Sequence, residues 1–331
     1  MNTGRTALVT GATGVMGAGL VAKLEEAGYR VRVLVRRPPA PNLFRTAVEV
    51  ALGDITDQEA VRSAAQGVEL VFHLAAKLHI NNPDPALREE YHRVNVEGTR
   101  IVTRAAVDAG VRRLVFFSTI AVYGATRPGE VLNEDSPTQT DSLYGESKRA
   151  AEAIVLASRR SDGEPLGVVL RVAGIYGPRI KGNYRQLVRW IRRGWFIPVG
   201  SGHNRRTLVY HFDVAAAAVL AAEHPNAAGG IFNVTDGTIH TFREIVDAIA
   251  RAMGRTPSRW YIPEWPVRLA AGLCDRVLIL GGQSASVGPM VSKMLEDMAV
   301  SGQKIQDVLG FHPSFDLRAG WTETIPRLVE K

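Results

Sequence analysis

The sequence is nearly without cysteine. Cys274 stands alone among 331 residues, so no intrachain disulfide can form and a reducing, cytoplasmic setting is expected. Long hydrophobic runs are missing too: no apolar stretch approaches the ~18 residues that a membrane span needs. The first apolar residues belong to a glycine-punctuated strand–turn–helix pattern and do not read as a signal peptide. There is no zinc-finger spacing and no basic tail, so neither a metal nor nucleic acid is expected as a partner, although the net charge is +7. Internal repeats and low-complexity tracts are absent. What remains is 46% hydrophobic and 22% charged, ordinary for a soluble enzyme. The length is generous for one core, so a large domain with a smaller lobe is expected.

Through the first half, apolar β-rich runs alternate with helical patterns. Strands are read at 5–11, 30–35, 47–54, 69–76, 113–119 and 166–172, with a later one at 229–237. Helices are read from Val15 to Ala27, from the Asp57 cap to Gln66, over about 84–109, and around 144–161. Such alternation implies βαβ units, hence an α/β fold with a doubly wound parallel sheet. The rhythm breaks after Gly174. Thr241 and Glu244 form a capping box that starts a helix to Met253, and the rest is helical with interruptions at Pro263, Pro266 and Gly281–Gly282. We therefore expect a dinucleotide-binding domain over 1–174, with 207–238 returning to it. A substrate lobe is expected over 175–206 and 239–331.

"TGATGVMG" supplies Gly11, Gly14 and Gly17 directly after a strand and at the opening of a helix. Gly11 permits the turn, Gly14 lets backbone amides approach a pyrophosphate, and Gly17 lets the helix pack closely; the helix N-terminus then stabilises the phosphate charge. An NAD site of this kind wants an acid after the second strand, for the ribose 2′-hydroxyl. Here Val35 is followed by Arg36 and Arg37. An arginine fork suits a 2′-phosphate, which favours NADP(H) and leaves NAD(H) possible; a solvated pair before Pro38–Pro39 is the other reading.

"YGESK" places Tyr144 four residues before Lys148, on one helical face. Lowering a phenol from pKa ~10 to ~7 takes about 4 kcal/mol, and one ammonium at ~4 Å in a dielectric of ~20 supplies about that. Lys148 is thus expected to poise Tyr144 as a general acid/base.

Together these motifs resemble the extended short-chain dehydrogenase/reductases of the epimerase/dehydratase type, over nearly the whole chain. The resemblance implies a Rossmann-type sheet with a smaller C-terminal substrate lobe. It implies that Thr13, Val15 and Met16 join the three glycines around the cofactor, and that Asp54 and Ile55 of "GDITD" contact the adenine. Leu74, Ala75 and Ala76 of "HLAA" would lie beside the cofactor. Asn95 of "NVEGT" is the supporting polar residue. Thr119, counted back from "VYG", is the catalytic Ser/Thr that bonds the reacting oxygen, and Lys148 also holds the nicotinamide ribose. The family usually dimerises through the helices near 84–109 and 144–161, so a homodimer is expected.

The dehydratases of the family carry an acidic pair after the catalytic threonine and the decarboxylases a nearby glutamate. Here Ile120 and Ala121 follow Thr119, which sets both reactions aside. Ketone reduction is favoured over 4-epimerisation because Arg36 resembles the NADPH-consuming reductases. Eight cations fall within 179–206 without an acid: Arg179, Lys181, Arg185, Arg189, Arg192, Arg193, Arg205 and Arg206. Arg185, Arg189, Arg192 and Arg193 read mostly as the solvated side of a helix whose core face is Tyr184, Leu187, Val188 and Ile191. By resemblance, Arg206 and Asn183 match the residues that bind a sugar nucleotide's diphosphate. His203 and His211 read as surface or packing groups. Three other readings stay open. One is a UDP-sugar 4-epimerase with bound NAD. Another is a reductase of a small hydrophobic ketone, whose pocket 263–274 could line, although that stretch also reads as an ordinary amphipathic helix. The third is a dinucleotide-sensing binding protein, against which the intact Thr119–Tyr144–Lys148 set argues.

Overall fold

Seven short aliphatic segments pair into one wholly parallel sheet. They are β1 (Thr6–Thr10), β2 (Arg30–Val35), β3 (Glu49–Leu52), β4 (Leu70–His73), β5 (Arg113–Thr119), β6 (Gly167–Val172) and β9 (Ile231–Val234). The order across the sheet is β3-β2-β1-β4-β5-β6-β9. The computed structural model describes residues 5–78, 85–140, 142–180, 182–257, 261–280, 288, 291–292 and 295–328. Lys181 and Gly281–Gly282 lie outside the described residues. The central strands are covered on both faces, which is why they read as continuous apolar runs and not as alternating ones.

One face carries α1 (Gly17–Glu26), whose Leu20, Val21 and Leu24 share one core with Val214, Ala218 and Ala222 of a later helix, Phe72 of β4 and Leu170 of β6. The other carries α2 (Gln58–Ala65), a short α3 (Arg88–Tyr91), α4 (Gly98–Asp108) and α5 (Leu143–Ala157). There Val61, Val102, Ala106, Ala151 and Val155 pack on Val71, Leu114 and Val169 of the sheet. Gly28 ends the first βα unit with φ +84, a conformation that costs a glycine nothing.

The helix expected over 84–109 is not one helix. Among the described residues it comprises a 3-10 turn (Pro85–Leu87), α3, a π-helical turn (His92–Glu97) and α4. The π turn falls on "NVEG", and it is there that Asn95 is buried. Single π turns inside helices are rare and gather at functional sites.

After β6 the chain leaves the sheet. β7 (Gly174–Tyr176), β8 (Arg205–Tyr210) and β10 (Ile239–Thr241) form a second sheet in the order β10-β8-β7. The return expected at 207 therefore comes later: β8 pairs with β7 and β10, and the chain rejoins the main body at α7 (His211–Glu223), which packs on α1. β8 is as apolar as a main-sheet strand, so its sequence does not say which sheet it joins. Around the second sheet lie α6 (Gly182–Arg193), α8 (Phe242–Ala252), α9 (Glu264–Leu280), α10 (Gln303–Leu309) and α11 (Leu317–Arg327). Leu187, Val188 and Ile191 of α6, Ile245 and Ile249 of α8, and Trp321 of α11 share one core. The capping box opens α8 as expected, with Thr241 and Glu244 bonded to each other's backbone amides.

Candidate active site

The strand order reverses direction between β1 and β4, and the carboxyl ends of these two strands frame a crevice. Gly11 closes β1 with φ +74, and a β-carbon on it would lie 2.6 Å from the Ala75 backbone nitrogen. Only a glycine lets the β1 turn come this near to Leu74–Ala75. A β-carbon on Gly17 would collide with the Ala12 carbonyl, so α1 begins pressed against the turn it leaves. Met16 caps α1 without a side-chain hydrogen bond, and the first turn carries no acid. The Gly14 amide donates to the Gly11 carbonyl at 3.0 Å, so the positive pole is the first turn of α1, which has no side-chain acceptor, as an anion requires. Thr13 is exposed at the tip of this turn. The loop fits a dinucleotide pyrophosphate.

The other cofactor candidates gather along the same edge. Arg36 and Arg37 follow β2 and are exposed. Asp54 and Ile55 follow β3. Burial raises the Asp54 carboxyl, but Thr56, donating from its amide at 2.9 Å and its hydroxyl at 2.8 Å, and the charges of Arg36 and Arg93 outweigh it and hold the group below the usual range. Arg36 thus lies within electrostatic reach of Asp54. Ile55 is buried beside Gly98, where a β-carbon would lie 2.8 Å from the Ile55 side chain. Leu74, Ala75 and Ala76 run on from β4, half-buried.

A buried hydrogen-bond chain crosses beneath the crevice. Thr10 Oγ1 meets His73 Nδ1 at 2.7 Å, His73 Nε2 meets Thr99 Oγ1 at 3.0 Å, and Thr99 donates to the Asn95 carbonyl at 2.6 Å. The Ala75 amide also donates to Thr10 Oγ1 at 3.3 Å. Burial, and then the charge of Lys148, pushes His73 down to about 3, so its ring is neutral and bridges two hydroxyls. The Asn95 side chain accepts from the Lys77 amide at 2.7 Å and donates to the Lys77 carbonyl at 3.1 Å. His73 is a residue that sequence reasoning missed; its only signal was a polar side chain inside "VFHLAA".

Thr119 ends β5 and caps a 3-10 turn (Ile120–Tyr123), its Oγ1 accepting from the Ala121 amide at 3.1 Å. Accepting that bond leaves the hydroxyl proton able to donate. Ser142 caps α5 and brings Tyr144 and Lys148 onto its first turns. Lys148 is buried with its ammonium 3.9 Å from the centre of the Phe116 ring, and Tyr144 meets Tyr91 edge-on at 6.5 Å. The expected lowering of the phenol is not found. Burial, and then Tyr91, pushes Tyr144 up to about 12, while burial pushes Lys148 down to about 7 against the pull of Glu152. An ion-pair sum counts Coulomb attraction and leaves out the water both groups lose, and here the lost water dominates.

Behind Thr119 lies a second buried network that the sequence did not reveal. Arg171 of β6 binds both oxygens of Glu152, at 3.1 and 2.8 Å, and donates to the Tyr123 hydroxyl at 2.8 Å. Ser118 donates to Glu152, and Tyr123 to Asn233 at 2.9 Å. Glu152 lies one turn beyond Lys148 on α5, so this network ties the base of the candidate pair to β5 and β6.

The two substrate candidates lie in the second lobe. Asn183 opens α6 and is exposed. Arg206 in β8 pairs with His240 of β10 and with Met298, and its charge reaches Tyr184, the residue after Asn183. Its neighbour Arg205 is structural: it binds Asp297 at 2.9 Å and the Glu130 carbonyl at 2.8 Å. His203 is exposed and His211 packs on Phe212, consistent with non-catalytic roles.

Residues 7–235 match the model of the NAD dependent epimerase/dehydratase family. The chain is similar to UDP-glucose 4-epimerase of Vibrio cholerae, 27% identical with 98% of this chain and 96% of that one covered. It is also similar to a 3-beta-hydroxysteroid dehydrogenase of Mycolicibacterium neoaurum, 28% identical with 96% and 90% covered. Among solved structures it resembles MoeE5 in complex with UDP-glucuronic acid and NAD, at a TM-score of 0.76 and 28% identity, covering 97% of this chain and 98% of that one. The chain belongs to the NAD dependent epimerase/dehydratase family.

Proposed function

We propose that the protein is an NADP(H)-dependent oxidoreductase that reduces a keto group of a sugar nucleotide. The observation that carries this reading is the Arg36–Arg37 pair, exposed at the end of β2 where an NAD site wants an acid. Tyr144, whose phenol burial holds above its ordinary value, is protonated at neutral pH and so can give a proton, as ketone reduction needs. When bound, the dinucleotide supplies the hydride. The Gly11–Gly17 turn would hold its pyrophosphate, Asp54 and Ile55 its adenine, and Leu74–Ala76 one side of it. Arg36 and Arg37, standing where an acid would take a ribose hydroxyl, would hold the 2′-phosphate that favours NADP(H) over NAD(H). Thr119 donates to the substrate oxygen, Tyr144 gives its proton to that oxygen as the carbonyl carbon gains hydride, and Lys148 holds the ribose. Asn183 and Arg206 bind the diphosphate.

A UDP-sugar 4-epimerase with bound NAD is the second reading. Likeness to the Vibrio cholerae epimerase and to MoeE5, whose structure holds UDP-glucuronic acid and NAD, favours it. We also infer a homodimer through the helices of 85–108 and α5, which pack against each other on one face of the sheet. The deciding experiment offers NADPH and NADH separately to the pure protein with UDP-, GDP- and dTDP-4-keto sugars. Faster oxidation of NADPH supports the reductase. Interconversion of UDP-sugars without net cofactor turnover replaces it with the epimerase, and turnover of small apolar ketones alone replaces the sugar nucleotide.

A further inference from the structure

The second lobe exposes large apolar side chains that its core does not need. On α9, Trp265, Leu269 and Leu273 are 70%, 60% and 54% exposed. They recur every fourth residue and form a stripe about 12 Å long on one face of the helix. Trp195 and Ile197, 70% and 52% exposed, lie just before Pro198. The segments that carry the two groups are joined: the Ile262 amide donates to the Pro198 carbonyl at 2.9 Å and the Gly200 amide to the Ile262 carbonyl at 2.8 Å. Trp190, on the outer side of α6, is 37% exposed. Trp190, Trp195 and Trp265 are thus all exposed around the second sheet.

Apart from the paired Glu264 and Arg268, the exposed charge of α9 is positive. Arg276 lies on the same face of α9 and is exposed, and so are Arg189 and Arg193 of α6. The guanidinium of Arg193 sits 5.1 Å from the centre of the Trp195 ring. The acids of α9 do not offset this: Glu264 is engaged by Arg268 at 3.3 Å, and Asp275 is buried. Residues 179–206 hold no acid at all. A helix with tryptophan and leucine on one face, flanked by arginine, is built to lie in the plane of a membrane interface. Among the described residues no helix is long and apolar enough to cross a membrane, so the contact would be peripheral. We propose that this face docks the protein on an anionic lipid bilayer, with the aromatic and leucine side chains entering the headgroup boundary and the arginines meeting lipid phosphates. A second copy of the chain would also cover apolar area, but identical arginine-rimmed faces would meet like charge with like charge.

The test of this surface reads binding, not turnover. The full chain is sedimented with vesicles of phosphatidylglycerol and phosphatidylcholine (about 3:7) and with phosphatidylcholine alone, while the shift of tryptophan emission is followed. We expect binding to the anionic vesicles with a blue shift, weakened by salt as charge contacts are screened. The variant Trp265→Ser/Leu269→Ser/Leu273→Ser should lose at least ~10-fold in partitioning, and Arg189→Gln/Arg193→Gln/Arg276→Gln should lose the preference for anionic lipid. Circular dichroism checks that both variants fold, which exposed positions should allow. No binding by the wild type, or equal binding by the apolar variant, overturns the proposal. A wild-type oligomer that the apolar variant dissolves, with no vesicle binding, gives the face to a second copy instead.

Discussion

Asn95 donates its side-chain amide to Ser147 Oγ at 2.9 Å, and Ser147 donates to the Tyr144 carbonyl at 2.8 Å. A buried asparagine in a π turn thus reaches the backbone of the helix that carries the candidate proton donor. The same side chain clamps both backbone groups of Lys77, just after the β4 edge of the crevice.

Asn95→Ala should therefore cost more than one hydrogen bond. It leaves the Lys77 amide and carbonyl unpaired, a loss of about 1–3 kcal/mol in a urea melt. Turnover should fall with stability, since Ser147 loses its donor. Asn95→Asp keeps the acceptor for the Lys77 amide and should fall between the two. An unchanged melt for Asn95→Ala would show the clamp to be dispensable.

Tyr144→Phe removes the proton donor and little packing. Turnover should drop by at least the ~10²-fold typical of a general acid, with cofactor affinity nearly unchanged when titrated by fluorescence. Near-normal turnover would remove Tyr144 from the chemistry.

The neutral His73 makes stability pH-dependent. Its pKa in the fold, about 3, is below its ordinary value of 6.5, so between these the unfolded chain binds the extra proton. Stability attributable to His73 is fully present above about 6.5 and is lost as the pH falls toward 3. His73→Gln keeps donor and acceptor atoms but does not titrate. Urea midpoints of wild type and variant should diverge less at pH 4 than at pH 7. A difference that stays constant would show that the ring is not held neutral.

The main sheet was legible because its central strands are mostly continuous apolar runs, and the β1–α1 loop because its glycines have a steric reason visible in spacing alone. The break in the 84–109 helix was not: its polar and apolar periodicity continues through "NVEG", and the π turn depends on Asn95 finding Lys77 and Ser147 across the fold. The placement of β8 escaped for the same reason, since a strand's partner is a long-range fact. The Tyr144–Lys148 pair was legible as a spacing and misjudged as an energy. Desolvation depends on Phe116 and Tyr91, which sequence spacing does not bring near. The Arg171–Glu152 pair lay hidden because its partners sit on β6 and α5, 19 residues apart.

Arg36 and Arg37 bear on the cofactor. Replacing both by alanine should weaken NADPH far more than NADH, by about 1.5–3 kcal/mol for a lost charged contact, in paired titrations. Asp54, whose carboxyl feels Arg36, should shift upward in the variant, and carbon-13 NMR of the carboxyl would report that separately. Equal weakening of both nucleotides, or tighter native binding of NADH, would make the pair mere surface.

In the proposed function Arg206 binds the substrate's diphosphate. It lies on a strand held on both sides, by β10 and by the Met298 backbone, so its backbone is fixed. Its charge reaches Tyr184, and Asn183 precedes that residue at the start of α6, so the cation lies near the opening of that helix. A diphosphate there needs such partners, because burying its charge unpaired would be prohibitive. Arg206→Ala should raise the KM for a sugar nucleotide roughly 10- to 100-fold, the ~1.5–3 kcal/mol of a charge-assisted hydrogen bond, with kcat little changed. Arg205→Ala is the control with the opposite signature. It breaks the contacts to Asp297 and Glu130, so its cost should appear first in thermal stability. UDP alone should compete with substrate, less well at high salt. If UDP, GDP and dTDP all fail to compete at millimolar concentration, and Arg206→Ala leaves KM alone, the second lobe does not bind a diphosphate and an uncharged ketone takes the sugar nucleotide's place.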